Sequence, residues 1–262
     1  MTLTRLSQTQ LNLLETCPPH FQQIFLDQLG TPIQPDQLIK GEWGNRFHQL
    51  MQQKELNLSI DNIFTEDSQL NHSIKALIEA SPEIFESSEN SWREAEHRRT
   101  LQIDNYLLTV IYDLLIVKEK EAQILDWKTY LQPENPQKLA KNWQTRLYLY
   151  VLTETSEYLP EELTMTYWFV KLPTKPQKIT FSYNEKLHQK TKEDLNILLE
   201  NLTQWIDNYS IEKVPFPHIP NCEKKCPFYN KKISTLYSYN NQEELLQSNW
   251  EILLNEIEEI PL

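Results

Sequence analysis

The stretch from Tyr106 to Tyr130 constrains the fold more than any other part of the sequence. It contains an apolar, β-branched run over Leu107–Val117 and a second such run over Ala122–Thr129, with the charged segment Lys118–Glu121 between them. Two runs of this kind, separated by a short polar segment, predict a β-hairpin. If the two central residues of the charged segment form the turn, antiparallel pairing joins residues whose numbers sum to 239.

This register places Asp113 directly opposite Asp126, and like charges in that position are destabilising. Lys128 lies two residues beyond Asp126, so the strand period of two puts it on the same face. Burying these groups in an apolar sheet is costly unless they are paired or bound to a cation. Close carboxylates suit a hard divalent cation. The alternative is a structural ion pair in which Asp126 and Lys128 neutralise each other.

The composition indicates a folded globular protein and limits the classes of function it can have. The 262 residues are 39% hydrophobic and 11% aromatic, which is enough to build a core. Only three glycines are present, and neither a P-loop nor a dinucleotide-binding fingerprint occurs, so a nucleotide-dependent helicase or ATPase is excluded. No apolar run approaches the roughly 20 residues that span a bilayer, and three cysteines fit a reducing compartment. We therefore expect a cytoplasmic protein without a membrane segment.

The net charge of −12 disfavours indiscriminate binding to polyphosphates. Much of the negative charge lies in peripheral segments such as Glu243–Glu259. A local basic groove remains compatible with these totals, and its candidate residues are Arg98, Arg99, Lys138, Lys141 and Arg146.

Three further features carry candidate site residues, each with an ordinary structural explanation. A predicted helix over Asp36–Lys54 contains His48 in a Gly-x-x-x-His arrangement, although a lone histidine is usually just partly buried. Glu96 lies in a predicted strand over Trp92–Ile103, where a solvated edge explains the alternating charges and leaves it a weak candidate. Gln144 and Tyr148 are four residues apart and share one face of a predicted helix, as is commonplace in amphipathic helices.

The remaining periodicity predicts an α/β chain. Further helices are expected from an N-cap at Ser7 to Thr16 and over His20–Leu29, Asp67–Glu79, Pro82–Ser87, Leu139–Glu154, Leu187–Asp207 and Gln242–Ile257, and further strands over Leu163–Leu172 and Lys178–Tyr183.

Taken in order, these motifs resemble the PD-(D/E)XK nuclease superfamily, and within it the RecB-like branch, which includes helicase–nuclease subunits of recombination and the nuclease of CRISPR adaptation. The resemblance extends from about Leu6 to Tyr150, and a weaker similarity is present at Cys222–Phe228. Its motifs are Cys17-Pro18 after an N-terminal helix, Gly44-x-x-x-His48, Asp113 at the end of a strand motif, Asp126-Trp127-Lys128 and Gln144-x-x-x-Tyr148. One departure is Val110, three residues before Asp113, where the family often has glycine.

The resemblance implies a restriction-endonuclease-like core, a central mixed β-sheet flanked by helices, with extra N- and C-terminal helices. It implies one nuclease-like domain over residues 1–235 with an N-terminal helical insertion, followed by an acidic helical extension over 236–262. His48, Asp113 and Asp126 would bind Mg²⁺ or Mn²⁺, and Lys128 would orient or deprotonate the attacking water. Gln144 and Tyr148 would line the site or contact the nucleic acid.

The cysteines depart from the family pattern. Many RecB-like members hold a [4Fe–4S] cluster with one N-terminal and three C-terminal cysteines. Cys17, Cys222 and Cys226 match three of these four ligands, but no cysteine follows Cys226. Four thiolates are the usual ligand set for such a cluster. His218 could instead complete a Cys₃His site, which suits zinc. The third alternative is three ordinary thiols.

The resemblance therefore predicts a metal-dependent deoxyribonuclease that acts on single-stranded DNA or DNA ends, as in DNA repair, with a helicase or another protein subunit as a conceivable partner. The catalytic residues would be Asp113, Asp126 and Lys128. The alternative is a catalytically silent module of the same fold that binds DNA or a partner protein.

Overall fold

The computed structural model describes residues 3–29, 35–58, 68–86, 90–131, 133–172, 175–220, 222 and 226. Strands and helices alternate along this part of the chain. The strands are β1 (Thr4–Leu6), β2 (Ser91–Ile103), β3 (Tyr106–Lys118), β4 (Glu121–Lys128), β5 (Leu163–Phe169) and β6 (Gln177–Ser182). The helices are α1 (Gln8–Thr16), α2 (Pro18–Phe21), α3 (Pro35–Glu55), α4 (Ser68–Ala80), α5 (Pro136–Lys141), α6 (Trp143–Glu154) and α7 (Glu185–Glu212).

The chain divides into two compact units. The first unit comprises Met1–Arg5 and Ile33–Lys192, and the second comprises Leu6–Pro32 and Glu193–Leu262. The predicted single domain over residues 1–235 stays a prediction. The predicted acidic extension over 236–262 lies outside the described residues.

The first unit is built on a mixed β-sheet in the strand order β1-β3-β4-β5-β6, with β2 also paired to β3. The β2–β3, β3–β4 and β5–β6 pairs are antiparallel, whereas β4 and β5 are parallel. A parallel pair needs a crossover connection, and α5 and α6 provide it. The predicted central mixed sheet flanked by helices is thus confirmed.

The hairpin register is as predicted over Leu114–Glu121, but the expected pair of Asp113 with Asp126 lies beyond the end of the observed ladder. The recorded pairs run from Leu114↔Leu125 to Lys118↔Glu121, and each sums to 239. The short charged turn fixes this register because loop length sets which residues of a hairpin meet. The predicted strand over Leu163–Leu172 and its antiparallel partner are observed as β5 and β6.

Helices cover both faces of the sheet around β4. Leu125 and Trp127 belong to a buried apolar cluster that includes Phe47 and Leu50 of α3 and residues of α4. The alternate residues of β4 point the other way, and Asp126 is bonded to Gln144 of α6. Successive side chains of a strand point to opposite faces, so α3 and α4 cover one face of β4 and α6 covers the other.

Three predicted helices differ from the structure. The predicted helix over His20–Leu29 consists of α2, which begins at Pro18, and a π-helical segment over Gln22–Leu26. The predicted helix over Leu139–Glu154 is divided into α5 and α6 because Asn142 adopts an extended conformation, and its side chain accepts a hydrogen bond from the Gln144 amide as an N-cap. The predicted helix over Pro82–Ser87 is a single 3₁₀ turn at Pro82–Ile84. No helix among the described residues has the length and apolar character needed to cross a membrane.

In the second unit, the segment that follows α1 is joined to the segment that ends α7. The predicted N-cap at Ser7 is observed, and the Ser7 amide donates to Oε1 of Gln10 at 2.8 Å. Gln22 accepts a hydrogen bond from the Phe216 amide at 2.8 Å, and the Tyr209 hydroxyl donates to Asp27 at 2.6 Å. These bonds hold together two stretches whose bonded residues are 182 and 194 positions apart in sequence.

Candidate active site

Three side chains converge at the middle of the β2–β3 ladder. One ligand atom each from His48, Glu96 and Asp113 lies within 4.8 Å of the others. Nδ1 of His48 is 3.4 Å from Oδ1 of Asp113 and 3.9 Å from Oε1 of Glu96. We call these three residues the acidic trio. Their side chains are between 13% and 27% exposed, so solvent reaches the group.

An irregularity in the two paired strands brings the acidic trio together. Tyr112 donates a hydrogen bond to the Tyr148 carbonyl on α6, whereas Leu114 packs in the cluster of α3 and α4. Residues i and i+2 of a regular strand share a face, so the alternation is interrupted at Asp113. Glu96, which stands opposite on β2, has a positive φ of 53°. A positive φ is uncommon for a non-glycine residue and is often found at functional sites.

The environment of Glu96 opposes its ionisation. Burial, followed by the charge of Asp113, raises the pKa of the Glu96 carboxyl to about 7, and His48 acts in the opposite direction. A carboxyl group in such a position gains from a nearby cation, because the cation removes the repulsion that the second carboxylate imposes. The acidic trio is therefore electrostatically suited to a positive ion.

The orientation of His48 fits the same role. Its Nε2 lies 3.1 Å from the carbonyl oxygen of Trp127. A carbonyl oxygen only accepts hydrogen bonds, so Nε2 carries the hydrogen. In the neutral ring, Nδ1 then presents its lone pair toward Glu96 and Asp113. Metal-binding histidines usually donate their other ring N–H to a carbonyl or carboxylate in this manner.

Asp126 and Lys128 form a buried ion pair on the α6 side of β4. Nζ of Lys128 is 2.8 Å from Oδ2 of Asp126, and both side chains are at most 3% exposed. Gln144 connects them, because its Nε2 donates to Asp126 at 2.7 Å and its Oε1 accepts from Lys128 at 2.8 Å. The ring of Tyr167 lies beneath the ammonium group, with 4.9 Å between Nζ and the ring centroid. Lys128 is therefore held in one position.

The structure brings only part of the predicted ligand set together. His48 and Asp113 meet as expected, but Asp126 does not belong to the group within 4.8 Å. Asp113 instead reaches the strand beside Asp126, because its Oδ2 accepts a hydrogen bond from the Trp127 amide at 2.6 Å. Asp113 thus faces His48 of α3 while Asp126 faces Gln144 of α6.

A small recess opens beside Asp113 on this side of the sheet. Its free volume is about 10 Å³, roughly the space of one water molecule, and Asp113, Trp127, Ala95 and Glu55 contribute to its lining. Asp113 is therefore accessible from solvent on the side of α3.

Gln144 and Tyr148, the predicted nucleic-acid contacts, are both buried. Gln144 supports the Asp126–Lys128 pair, and the Tyr148 ring packs edge-on against Tyr112 with 5.2 Å between centroids. Contact with nucleic acid by these two residues stays a prediction.

Glu96 was only a weak site candidate on the sequence pattern. Its alternation with Arg93 and Ala95 matched a solvated edge strand, yet the structure places it beside His48 and Asp113. Its positive φ carries no sequence signal, because glycine, asparagine and aspartate are the residues that usually mark that conformation. The one available signal was its position opposite Asp113.

A second group of candidate ligands lies in the second unit. Cys17, Cys222 and Cys226 are buried together, and His218 adjoins two of them. Nδ1 of His218 lies 3.3 Å from Sγ of Cys222 and 3.5 Å from Sγ of Cys226. A hydrogen bond with the Cys226 side chain, followed by burial, raises the pKa of the Cys17 thiol above its usual range.

Comparison with known proteins agrees with this architecture. A family model described as the PD-(D/E)XK nuclease superfamily matches residues 5–230. No curated protein sequence matches the chain significantly. A presumed exonuclease from Eubacterium rectale is similar in structure, with 13% identity, a TM-score of 0.49 and coverage of 89% of this chain and 91% of that chain. The protein SSO0001 has 14% identity, a TM-score of 0.35 and coverage of 76% and 78%. Both scores are low, so the fold assignment rests on the family match and the observed sheet.

Proposed function

The chain belongs to the PD-(D/E)XK nuclease superfamily, and on that premise we propose that it is a divalent-metal-dependent nuclease that hydrolyses phosphodiester bonds in DNA. The observation that carries this proposal is the acidic trio, in which one histidine nitrogen and two carboxylates meet within 4.8 Å on partly exposed side chains. Three protein ligands would leave the remaining positions of a six-coordinate ion to water and a phosphate oxygen.

The donor atoms fit Mg²⁺ or Mn²⁺. Carboxylate oxygens are the ligands that both ions prefer, and an imidazole nitrogen is accepted readily by Mn²⁺. His48, Glu96 and Asp113 would hold the ion in the arrangement described. Asp126, the further ligand that the sequence motif implies, stays paired with Lys128 in this arrangement. When bound, such an ion lowers the pKa of water and neutralises charge that develops on the phosphate.

The chain supplies the positioning that this chemistry requires. Trp127 holds His48 through its carbonyl and Asp113 through its amide, so a single peptide segment orients two of the three ligands. Lys128 lies next to that segment and is fixed by Asp126 and Gln144. The sequence motif implies that its ammonium group would orient a water molecule or contact the scissile phosphate, whereas in the structure that group is buried in the pair with Asp126.

We also propose DNA strands with free ends, single-stranded in particular, as the substrate, by analogy with the RecB-like branch. Exposed lysines provide a path for the backbone, because Lys138 and Lys141 lie on α5 directly before Gln144. Arg146, over the ring of Trp143 at 4.2 Å, adds a third positive charge. A helicase or another protein subunit as partner, and a role in DNA repair in the cytoplasm, belong to the same analogy.

A second candidate function is a silent nuclease-fold module that binds DNA or a protein. The closed Asp126–Lys128 pair favours it, since the carboxylate that the family motif assigns to the cation is engaged by an ammonium group and by Gln144. In this case the acidic trio would bind a cation weakly and no cleavage would follow.

Cleavage assays on linear single-stranded DNA, linear duplex, closed plasmid and single-stranded RNA, each with Mn²⁺ or Mg²⁺, distinguish the two functions. The wild type should degrade the linear DNA, and Asp113→Asn and Lys128→Ala should lose that activity. Asp104→Asn and Lys120→Ala are matched controls, because both residues lie in exposed turns. If the wild type binds DNA but cuts none of the four substrates with either ion, the silent module is the correct function.

A further inference from the structure

The buried thiols of the second unit do not fit the cluster that many RecB-like nucleases hold. A [4Fe–4S] cluster is normally held by four thiolates, whereas the whole chain has three cysteines. The fourth group at this position is the imidazole of His218. The disagreement concerns the chemical type of the ligand set, since three sulfurs and one nitrogen are typical of zinc.

The distances within the group match a tetrahedral zinc ion. Zinc binds sulfur at about 2.3 Å and imidazole nitrogen at about 2.0–2.1 Å, so a nitrogen and a sulfur on one tetrahedral ion are about 3.5 Å apart. Nδ1 of His218 lies 3.3 Å from Sγ of Cys222 and 3.5 Å from Sγ of Cys226. One nitrogen has a single hydrogen or a single lone pair to offer, yet it is almost equidistant from two sulfurs. A shared ion accounts for both distances at once.

The third thiol lies next to this group but outside it, because only His218, Cys222 and Cys226 have ligand atoms within 4.8 Å of one another. Cys17 is 2% exposed and packs with Cys222 and Cys226, and its thiol interacts directly with that of Cys226. The Cys226 amide donates a hydrogen bond to the Cys222 carbonyl at 2.7 Å. This contact holds Cys222 and Cys226 close enough to bind one ion together. A Cys-x₃-Cys spacing falls within the range of structural zinc sites.

We propose that Cys17, His218, Cys222 and Cys226 form a structural zinc site of the Cys₃His type. The site is closed, with four protein ligands and no position for water or substrate, which makes its role structural. It joins the turn between α1 and α2 to the segment that follows α7. The hydrogen bonds of Gln22 with Phe216 and of Asp27 with Tyr209 join the chain just after α2 to the end of α7 and the residues that follow it, so zinc would reinforce a neighbouring connection.

The zinc content of the full chain tests the proposal directly. Protein purified without oxygen from cells supplied with both iron and zinc should contain one zinc per chain, without iron and without the visible absorption of an iron–sulfur cluster. Titration with an organomercurial should release the zinc after three equivalents. Cys17→Ser should lower this number to two if the variant retains the metal.

Two histidine variants distinguish a zinc ligand from a histidine that does not bind zinc. His218→Ala should weaken zinc binding by at least about tenfold in a chelator competition, an effect of the size that altered metal surroundings produce. His72→Ala should bind zinc as the wild type does, because His72 is exposed on α4 in the first unit. Since the cysteine variants can misfold, Co²⁺ substitution of the wild type provides a second measurement, and intense thiolate-to-cobalt absorption of a tetrahedral site is expected.

Iron with cluster absorption in the wild type would overturn the proposal in favour of the family's cluster. Three freely titrating thiols without bound metal would overturn it in favour of ordinary cysteines. Neither result bears on the acidic trio, so the nuclease proposal and the zinc proposal fail independently.

Discussion

Glu96 stands opposite Asp113 across the β2–β3 ladder, between the recorded pairs Ala95↔Leu114 and His97↔Tyr112. Opposed carboxylates destabilise a sheet, and Glu96 also has a positive φ of 53°. A position that combines charge repulsion with an unfavourable backbone conformation lowers stability. Such positions are concentrated at functional sites, where activity is retained at the expense of stability.

The first prediction is that Glu96→Gln stabilises the metal-free protein. The pKa of Glu96 is about 7 in the folded chain, above its value in the unfolded chain. The folded state therefore binds more protons between about pH 4.5 and 7, and the free energy of unfolding falls as pH rises through that range. Above pH 7 the free energy of unfolding is lower than below pH 4.5 by roughly 3 kcal/mol, since the pKa is raised by about 2.5 units from 4.5 and one unit corresponds to about 1.4 kcal/mol.

Urea unfolding of the wild type and of Glu96→Gln in EDTA, at several pH values from 5 to about 8, measures this effect. The two curves of stability against pH should diverge as pH rises, with the variant more stable. Asp113 and His48 face Glu96 and are present in both proteins, so the difference between the two curves isolates Glu96. Parallel curves would show that Glu96 does not carry the pH dependence.

The second prediction concerns the third metal ligand. Glu96→Gln and His48→Ala should each weaken Mn²⁺ binding by about one to two orders of magnitude, as loss of a group in a metal site commonly does. Asp126→Asn should weaken it less, because Asp126 lies outside the acidic trio. Calorimetric titration with Mn²⁺ measures the dissociation constants, and Glu94→Gln on the same strand is the control. A larger effect of Asp126→Asn would mean that the ion draws Asp126 away from Lys128.

The third prediction is that Asp126 and Lys128 are strongly coupled in stability. Lys128→Met leaves a buried carboxylate without its cation and should cost about 3–5 kcal/mol, as removal of one partner from a buried pair usually does. The double variant Asp126→Asn, Lys128→Met removes both charges and should recover much of that loss. A double-mutant cycle by chemical denaturation gives the coupling. Additive single effects would show that the pair contributes little.

The fourth prediction assigns Gln144 a positioning role. Gln144→Ala removes one hydrogen-bond partner from each member of the buried pair and should cost about 1–3 kcal/mol. It should also lower the rate of DNA cleavage at saturating substrate more than it changes the KM, since Lys128 would lose its fixed position. Gln137→Ala on α5 is the control, because Gln137 is exposed and a change there should stay within about 0.5 kcal/mol. Unchanged cleavage kinetics in Gln144→Ala would argue against the role.

The fifth prediction concerns DNA affinity. If Lys138 and Lys141 contact phosphates, replacing both with alanine should weaken binding to every single-stranded sequence alike. The slope of log K against log salt should decrease in magnitude by about 1.4, because each phosphate contact on a single strand contributes about 0.7. Fluorescence anisotropy over a salt series with Ca²⁺ in place of Mn²⁺ measures the slope.

The matched control for that experiment removes two other exposed lysines, Lys75 of α4 and Lys186 of α7. Both double variants lose the same charge, so a nonspecific effect of net charge would change the two slopes equally. A decrease confined to the Lys138 and Lys141 variant locates the DNA path at α5.

The sequence by itself determined the central hairpin. The apolar runs and the charged turn of Lys118–Glu121 are local, and the turn length alone fixes which residues of β3 and β4 are paired. The alternation of β4 then separates Trp127 from Asp126 and Lys128 without any information from distant parts of the chain. The motif Gly44-x-x-x-His48 likewise identified a histidine that the structure brings to Asp113.

Only the tertiary structure decided which carboxylate joins His48. The outcome depends on the backbone of Glu96, on the side chain of Gln144 and on the position of α3, and these are set by packing between segments far apart in sequence. The same holds for His218, whose imidazole meets the thiols of Cys222 and Cys226 in a segment without regular periodicity. Local patterns specify pairing and faces, whereas the convergence of polar groups depends on how distant segments pack.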